Sequence, residues 1–213
     1  MSCGEISPKV DRVHSLSGIR VKKNEREEKM IGFLIIAVLA VGILFWAISV
    51  YNGLVQQREN VKNGWSQIDV QLKRRHDLIP NLVETAKGYM KHEGETLENV
   101  IKARQQAVDA SGIEDKQQAE NFLSSTLRSL FAVTENYPDL KADRQMQQLH
   151  EELTSTENKI SFARQYYNDE VSRLNTQVQS FPDNVIAGTF NFKKEAFFKI
   201  DDESERNAPE VKF

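Results

Sequence analysis

The run Asp69-Val70-Gln71-Leu72-Lys73-Arg74-Arg75-His76-Asp77-Leu78-Ile79-Pro80-Asn81 is the densest group of chemically capable side chains in the sequence. Two carboxylates, three cations and an imidazole this close together suit acid–base catalysis, an anion site or a grip on nucleic acid. On a helix, Asp69 and Lys73 stand four apart, as do Lys73 and Asp77, so these three can pair along the surface. Leu72, Ile79 and Leu82 take the buried stripe, which leaves Lys73 and Arg74 outward. Arg75 falls nearer the apolar side, within reach of a carboxylate on a facing helix. Pro80 removes one intrahelical hydrogen bond, which predicts a kink or a new segment there. Asp69–Asn81 is therefore a hydrolase site, a binding surface hinged at the proline, or a charged flank beside a core stripe. The stripe favours the last.

Other chemistry finds no support in the spacing. No two of His14, His76, His92 and His150 fall within one helical turn of each other, and Cys3 has no second cysteine to pair with. A zinc site needs such clusters, so no metal ligands are expected. Glu151–Glu152 and Asp201–Asp202 read as solvated charge rather than acid–base dyads. No nucleophile elbow, P-loop or dinucleotide fingerprint occurs, so no catalytic or cofactor-binding residues and no cofactor are expected. From Tyr51 onward 21 basic residues stand against 26 acidic ones, which argues against a nucleic-acid partner.

The elements that must position these residues begin with Ile31–Val50, twenty residues without a charge. As a helix they span about 30 Å, the thickness of a bilayer's hydrocarbon core. Trp46 and Tyr51 lie toward one end, where amphipathic rings favour the interface. A cleavable signal peptide with Ala47-Ile48-Ser49 as its site is the alternative, but its apolar core would be shorter. Residues 31–50 are expected to be a permanent contact with the lipid bilayer. Arg12, Arg20, Lys22, Lys23, Arg26 and Lys29 precede the span, whereas only Arg58 and Lys62 follow it closely. That asymmetry predicts a cytoplasmic N-terminus and an extracytoplasmic soluble domain.

Beyond the span, Val61, Trp65, Ile68, Leu72, Ile79, Leu82, Ala86 and Met90 recur at helical steps up to a break at His92–Glu95. A second helix follows on Leu97, Val100, Ile101, Arg104 and Val108. A third runs from about Lys116 to Thr134, on Ala119, Phe122, Leu123, Leu127, Leu130 and Phe131. Pro138 suits the first turn of the next. The strongest pattern is Ala142, Met146, Leu149, Leu153, Thr156, Ile160, Ala163, Tyr167, Val171, Leu174, Val178 and Phe181, spaced mostly four and three. It predicts one uninterrupted helix over Asp139–Phe181. The apolar stripe at 142–181 must be covered within the chain or in a homo-oligomer, with Phe162, Tyr166 and Tyr167 at its seam. Phe181–Asn184 stops it, and Asn184–Phe198 reads as a short helix and an extended tail folding back on the bundle. No stretch alternates with period two. The expected fold is all-α: an N-terminal transmembrane helix followed by an antiparallel up-and-down bundle of about four helices. Its parts would be a hydrophilic segment at 1–29, the anchor at 30–50, the bundle at 51–198 and a disordered tail at 199–213.

Several of these runs resemble the bacterial LemA family: Tyr51–Glu93, Glu135–Ala142, Leu149–Ala187 and the aromatics through Phe198. The resemblance implies a single-pass membrane protein with an N-terminal anchor and an up-and-down helical domain; with the charge asymmetry, the expected location is the bacterial inner or cell membrane with the soluble domain in the periplasm. It implies no established enzymatic activity and no agreed biochemical role; some relatives act in organising membranes or beside membrane proteases. Asp69, Arg75, Asp77, Pro80 and Asn81 match its signature, as do Glu157, Asn158, Arg164, Tyr167 and Asn168, without assigned roles. The two groups suggest a polar layer in which Arg75 and Asp77 meet Glu157, Asn158 and Arg164 and fix helix register. The hydrophilic start departs from the family pattern and marks Met30 as an alternative first residue, without the basic cluster that sets orientation. The expected function is a membrane-anchored scaffold or interaction protein. The alternatives are an accessory subunit of a membrane protease or transporter, and a hydrolase built on Asp69–Asn81.

Overall fold

The structure is a computed structural model that describes residues 9–199, with side chains from residue 26 onward. Among the described residues it is all-α, with no strand. The expected disordered tail at 199–213 lies almost wholly outside the described residues, as does the start of the hydrophilic segment at 1–29. Six helices follow in order: α1 Lys9–Lys87, α2 Gly94–Asp109, α3 Ile113–Thr134, α4 Pro138–Ala142, α5 Arg144–Gln179 and α6 Asp183–Thr189. The chain divides into two units, Met1–Asn52 and Gly53–Phe213.

The first unit carries the apolar part of α1, whose mean hydropathy reaches 2.9 with none of that stretch buried in protein. Phe33, Ile36, Val38 and Phe45 are each at least 66% exposed. Exposed apolar surface costs roughly 25 cal/mol per Å² in water, so a whole helix of it needs lipid. This is the transmembrane helix expected over residues 31–50.

In the second unit, α1 from Gly53 to Lys87 is the central strut. Asp69 meets Lys116 and Arg75 meets Ser124, so α3 runs parallel to α1. Asn60 meets Glu170 and Arg74 meets Glu152, so α5 runs antiparallel to it. α2 returns along α1 after a short turn, bringing Arg104 to His76. The bundle is up-down-up-down, with Ile79, Leu82, Val100, Leu123, Leu130 and Leu140 wholly enclosed at its centre. Gly64 allows a close approach of α1 to α5: a Cβ there would lie 3.0 Å from the Tyr167 Cα. The stripe on α5 is buried within the chain from Met146 to Leu174, while Phe162 is 71% and Phe181 82% exposed. On α2 and α3 the apolar faces are narrower than expected, since Ile101, Val108 and Phe122 lie exposed.

The uninterrupted helix expected over Asp139–Phe181 is two helices. Asp143 leaves helical geometry (φ −66°, ψ 128°) and its carboxylate accepts the Met146 N–H at 2.9 Å. Aspartate is a strong N-cap, so the chain restarts there rather than continuing from α4, which begins on Pro138 at its first turn. Pro80 opens no new segment: α1 runs through it. At the other end, α6 leads to residues 193–199, which carry no regular structure and lie back against α5.

Candidate functional site

Arg75 and His76 face inward on adjacent positions of α1, and both are buried. The Arg75 guanidinium donates from Nη2 to Ser124 Oγ at 2.7 Å. Its Nη1 lies 3.4 Å from Glu120 Oε2 and 3.2 Å from Glu157 Oε2. His76 Nε2 and Glu120 Oε1 stand 2.7 Å apart. With side-chain exposures of 4% and 1%, Arg75 and Glu120 form a buried ion pair, and Ser124, Glu157 and His76 are their further partners. A pair like this is costly to break, because the survivor is left charged and dry; removing one partner typically costs about 3–5 kcal/mol.

Pro80 completes the same knot. Lacking an N–H, it cannot serve the carbonyl four residues earlier, which belongs to His76. Arg104 Nε from α2 donates to that carbonyl at 2.6 Å. The lost intrahelical bond is thus replaced from another helix, and α2 is fixed to α1 at that level.

The other charged residues of Asp69–Asn81 face outward, while Leu72 and Ile79 are buried. Asp69 pairs with Lys116 of α3 at 2.6 Å rather than with Lys73, because the Lys116 ammonium also sits over the Trp65 ring, 5.5 Å from its centroid. Arg74 lies 3.6 Å from Glu152. Lys73, Asp77, Pro80 and Asn81 are exposed. The expected polar layer is therefore corrected in composition. Arg75 and Glu157 meet, but Asp77 points away from them and Asn158 lies exposed at the edge of the layer. The third helix supplies Glu120 and Ser124 instead. Glu120 was missed as one charge among several, yet it continues the spacing of Leu123, Leu127 and Leu130 backward by three. Glu170 is a second buried carboxylate, accepting from Asn60 at 3.2 Å and Arg173 at 2.8 Å. It lies three residues after Tyr167 on the same stripe.

A cleft of about 360 Å³ opens where α3 and α5 flank the knot, lined by Arg75, Arg128, His150, Glu157 and Asn158 above Leu127, Phe131 and Leu153. Arg75 is its sole contribution from Asp69–Asn81. Glu120 and His76 make a carboxylate–histidine pair, but Ser124, the hydroxyl needed to complete a nucleophilic set, is held by Arg75. His150 stacks edge-on against Phe131 at 4.5 Å, and His92 is exposed. His14 and Asp201–Asp202 lie outside the described side chains. Among the described residues no three His, Cys, Asp or Glu converge to hold a metal ion.

Tyr167 and Asn168 hold the C-terminal segment. The Tyr167 hydroxyl donates to the Ala196 carbonyl at 2.8 Å. Burial pushes its phenol up to about 12, with the Glu195 carboxylate adding to the effect. Asn168 and Asn175 each bind the backbone of one residue twice, at Phe198 and Glu195 respectively. Trp65 packs on Tyr167 and Phe198 with centroids 5.6 and 5.5 Å away.

A family model described as the LemA family matches residues 64–213. The chain is 27% identical over 173 residues to Protein LemA of Metamycoplasma hominis, covering 78% of this chain and 77% of that one. It is also similar to Magnetosome protein MamQ of Magnetospirillum gryphiswaldense, at 23% identity over 89% of this chain and 85% of the relative. Magnetosome protein MamQ 2 of Paramagnetospirillum magneticum matches at 23% over 78% and 71% of the two chains.

Proposed function

The chain belongs to the LemA family, and on that premise we propose that it works as a membrane-anchored interaction protein, a helical scaffold acting through its surface. One observation carries this reading. The polar side chains of Asp69–Asn81 that are buried, Arg75 and His76, are engaged by Glu120, Ser124 and Glu157, and the His76 carbonyl by Arg104. A guanidinium held this way braces three helices and has little left to offer a substrate. The stripe expected at 142–181 is buried within the chain from Met146 to Leu174, and Phe181 at its end is exposed.

On this proposal the bundle lies outside the cytoplasm, in the periplasm. The support is the excess of basic residues before the span. Fusing alkaline phosphatase or a green fluorescent reporter to the C-terminus tests this. An active phosphatase and a dark reporter are expected; the opposite pair reverses the topology.

Crosslinking of the full chain in intact membranes, followed by identification of what is captured, tests the interaction role. Integral membrane proteins or further copies are expected among the adducts. Adducts dominated by a single protease or transporter replace the scaffold with an accessory subunit. A chain that captures nothing, yet hydrolyses a substrate until Asp69→Ala or Asp77→Ala stops it, restores the hydrolase reading.

A further inference from the structure

Residues 195–198 lie on α5 as a bound peptide would. Three side chains of α5 hold this stretch by its backbone: Asn175 at both polar groups of Glu195, Tyr167 at the Ala196 carbonyl, Asn168 at both polar groups of Phe198. The two asparagines are seven residues apart, about 10.5 Å along a helix. Residues 195 and 198 are three apart, about 10 Å in extended chain. The rulers match, so the asparagine pair reads an extended backbone at a fixed step. One side chain supplies selectivity. Phe198 is fully buried, edge-on to Trp65.

We propose that this groove is an extended-peptide site whose ligand is the same segment of a second copy, exchanged between neighbouring chains in the membrane. The occupant is set by what the groove already holds, since a second copy offers the identical backbone and the identical phenylalanine. Nothing in regular secondary structure ties the segment to its own bundle. α6 is seven residues long, and the chain turns through Asn191 at φ 56° before entering the groove. Exchange remakes each hydrogen bond on the partner, so the contacts favour neither arrangement and the balance rests on concentration and linker entropy. Anchoring by residues 31–50 confines the copies to a plane and raises that concentration. The inference stands whether or not the chain also holds other membrane proteins.

The Lys199 N–H donates to Gln117 Oε1 at 2.8 Å, which places the end of the segment beside α3 and gives a test. Full-length chains in the Cys3→Ser background carry either Gln117→Cys or Lys199→Cys, with different tags, and are co-expressed and oxidised in membranes. Neither single variant can close within itself. A disulfide joining the two tags between positions 117 and 199 is expected. It should fall several-fold when Asn168→Ala and Asn175→Ala are placed in the Gln117→Cys copy alone. A chain carrying both cysteines is the reference. If it closes internally while the mixed singles yield no joined product, exchange is overturned. If it does not close at all, the placement of the segment fails and the proposal with it. Joined product insensitive to the asparagine substitutions marks mere collision and also overturns exchange.

Discussion

Tyr167 is where burial can be read as a pH effect. Its phenol is shifted from 10.0 in the open chain to about 12 in the fold. The folded form therefore keeps its proton where the unfolded form has lost it. Its contribution to stability is whole below pH 10 and disappears as pH rises through 12. Alkaline unfolding of wild type and Tyr167→Phe, followed by tryptophan fluorescence, should show a fall between pH 10 and 12 that is smaller in the variant. Tyr89 and Tyr137 are also shifted upward, through Asp143 and through burial beside Glu93, and they slope alike in both proteins. Identical alkaline profiles for the two proteins contradict the shift. Arg75 was legible in the sequence because it fell on the apolar side of its helix. Glu120 and Glu170 were not, because a carboxylate at a core position looks like its solvated neighbours until a facing cation is located.

At the scale of elements, Pro80 and Arg104 behave as one device. Arg104→Ala leaves the His76 carbonyl without its donor, a loss of about 1–3 kcal/mol for a buried polar group. In a Pro80→Ala background the backbone N–H gained at position 80 can serve that carbonyl, so the same substitution should cost well under half as much. Equal costs in both backgrounds, measured by thermal unfolding, would falsify the link. Gly64→Leu should be more severe. Its side chain must enter space held by the Tyr167 backbone, and overpacking of this kind costs roughly 1–3 kcal/mol or more. A variant as stable as the wild type removes the close α1–α5 approach. The helices themselves were readable because a four–three spacing demands a buried face. The break at Asp143 was not, since a cap competes with helix continuation by a single hydrogen bond that periodicity does not register.

For the whole molecule, the anchor was the most legible feature, because twenty uncharged residues have few other uses. Alkaline carbonate should leave the full chain in the membrane pellet, and release into the supernatant contradicts a permanent span. The C-terminal return could be seen only as an aromatic tail, since backbone recognition by asparagines leaves little mark on the sequence being held. Whether the chain is a scaffold turns on whether the polar knot is an internal brace or chemistry in reserve. A double-mutant cycle between Arg75→Met and Glu120→Gln, by thermal unfolding of the detergent-solubilised full chain, asks this most directly. Arg75→Met should cost about 3–5 kcal/mol, and Glu120→Gln less, because Arg75 keeps Glu157. Their coupling should fall within about 0.5–3 kcal/mol. Two substitutions that each cost below about 0.5 kcal/mol and simply add would show a knot that braces nothing.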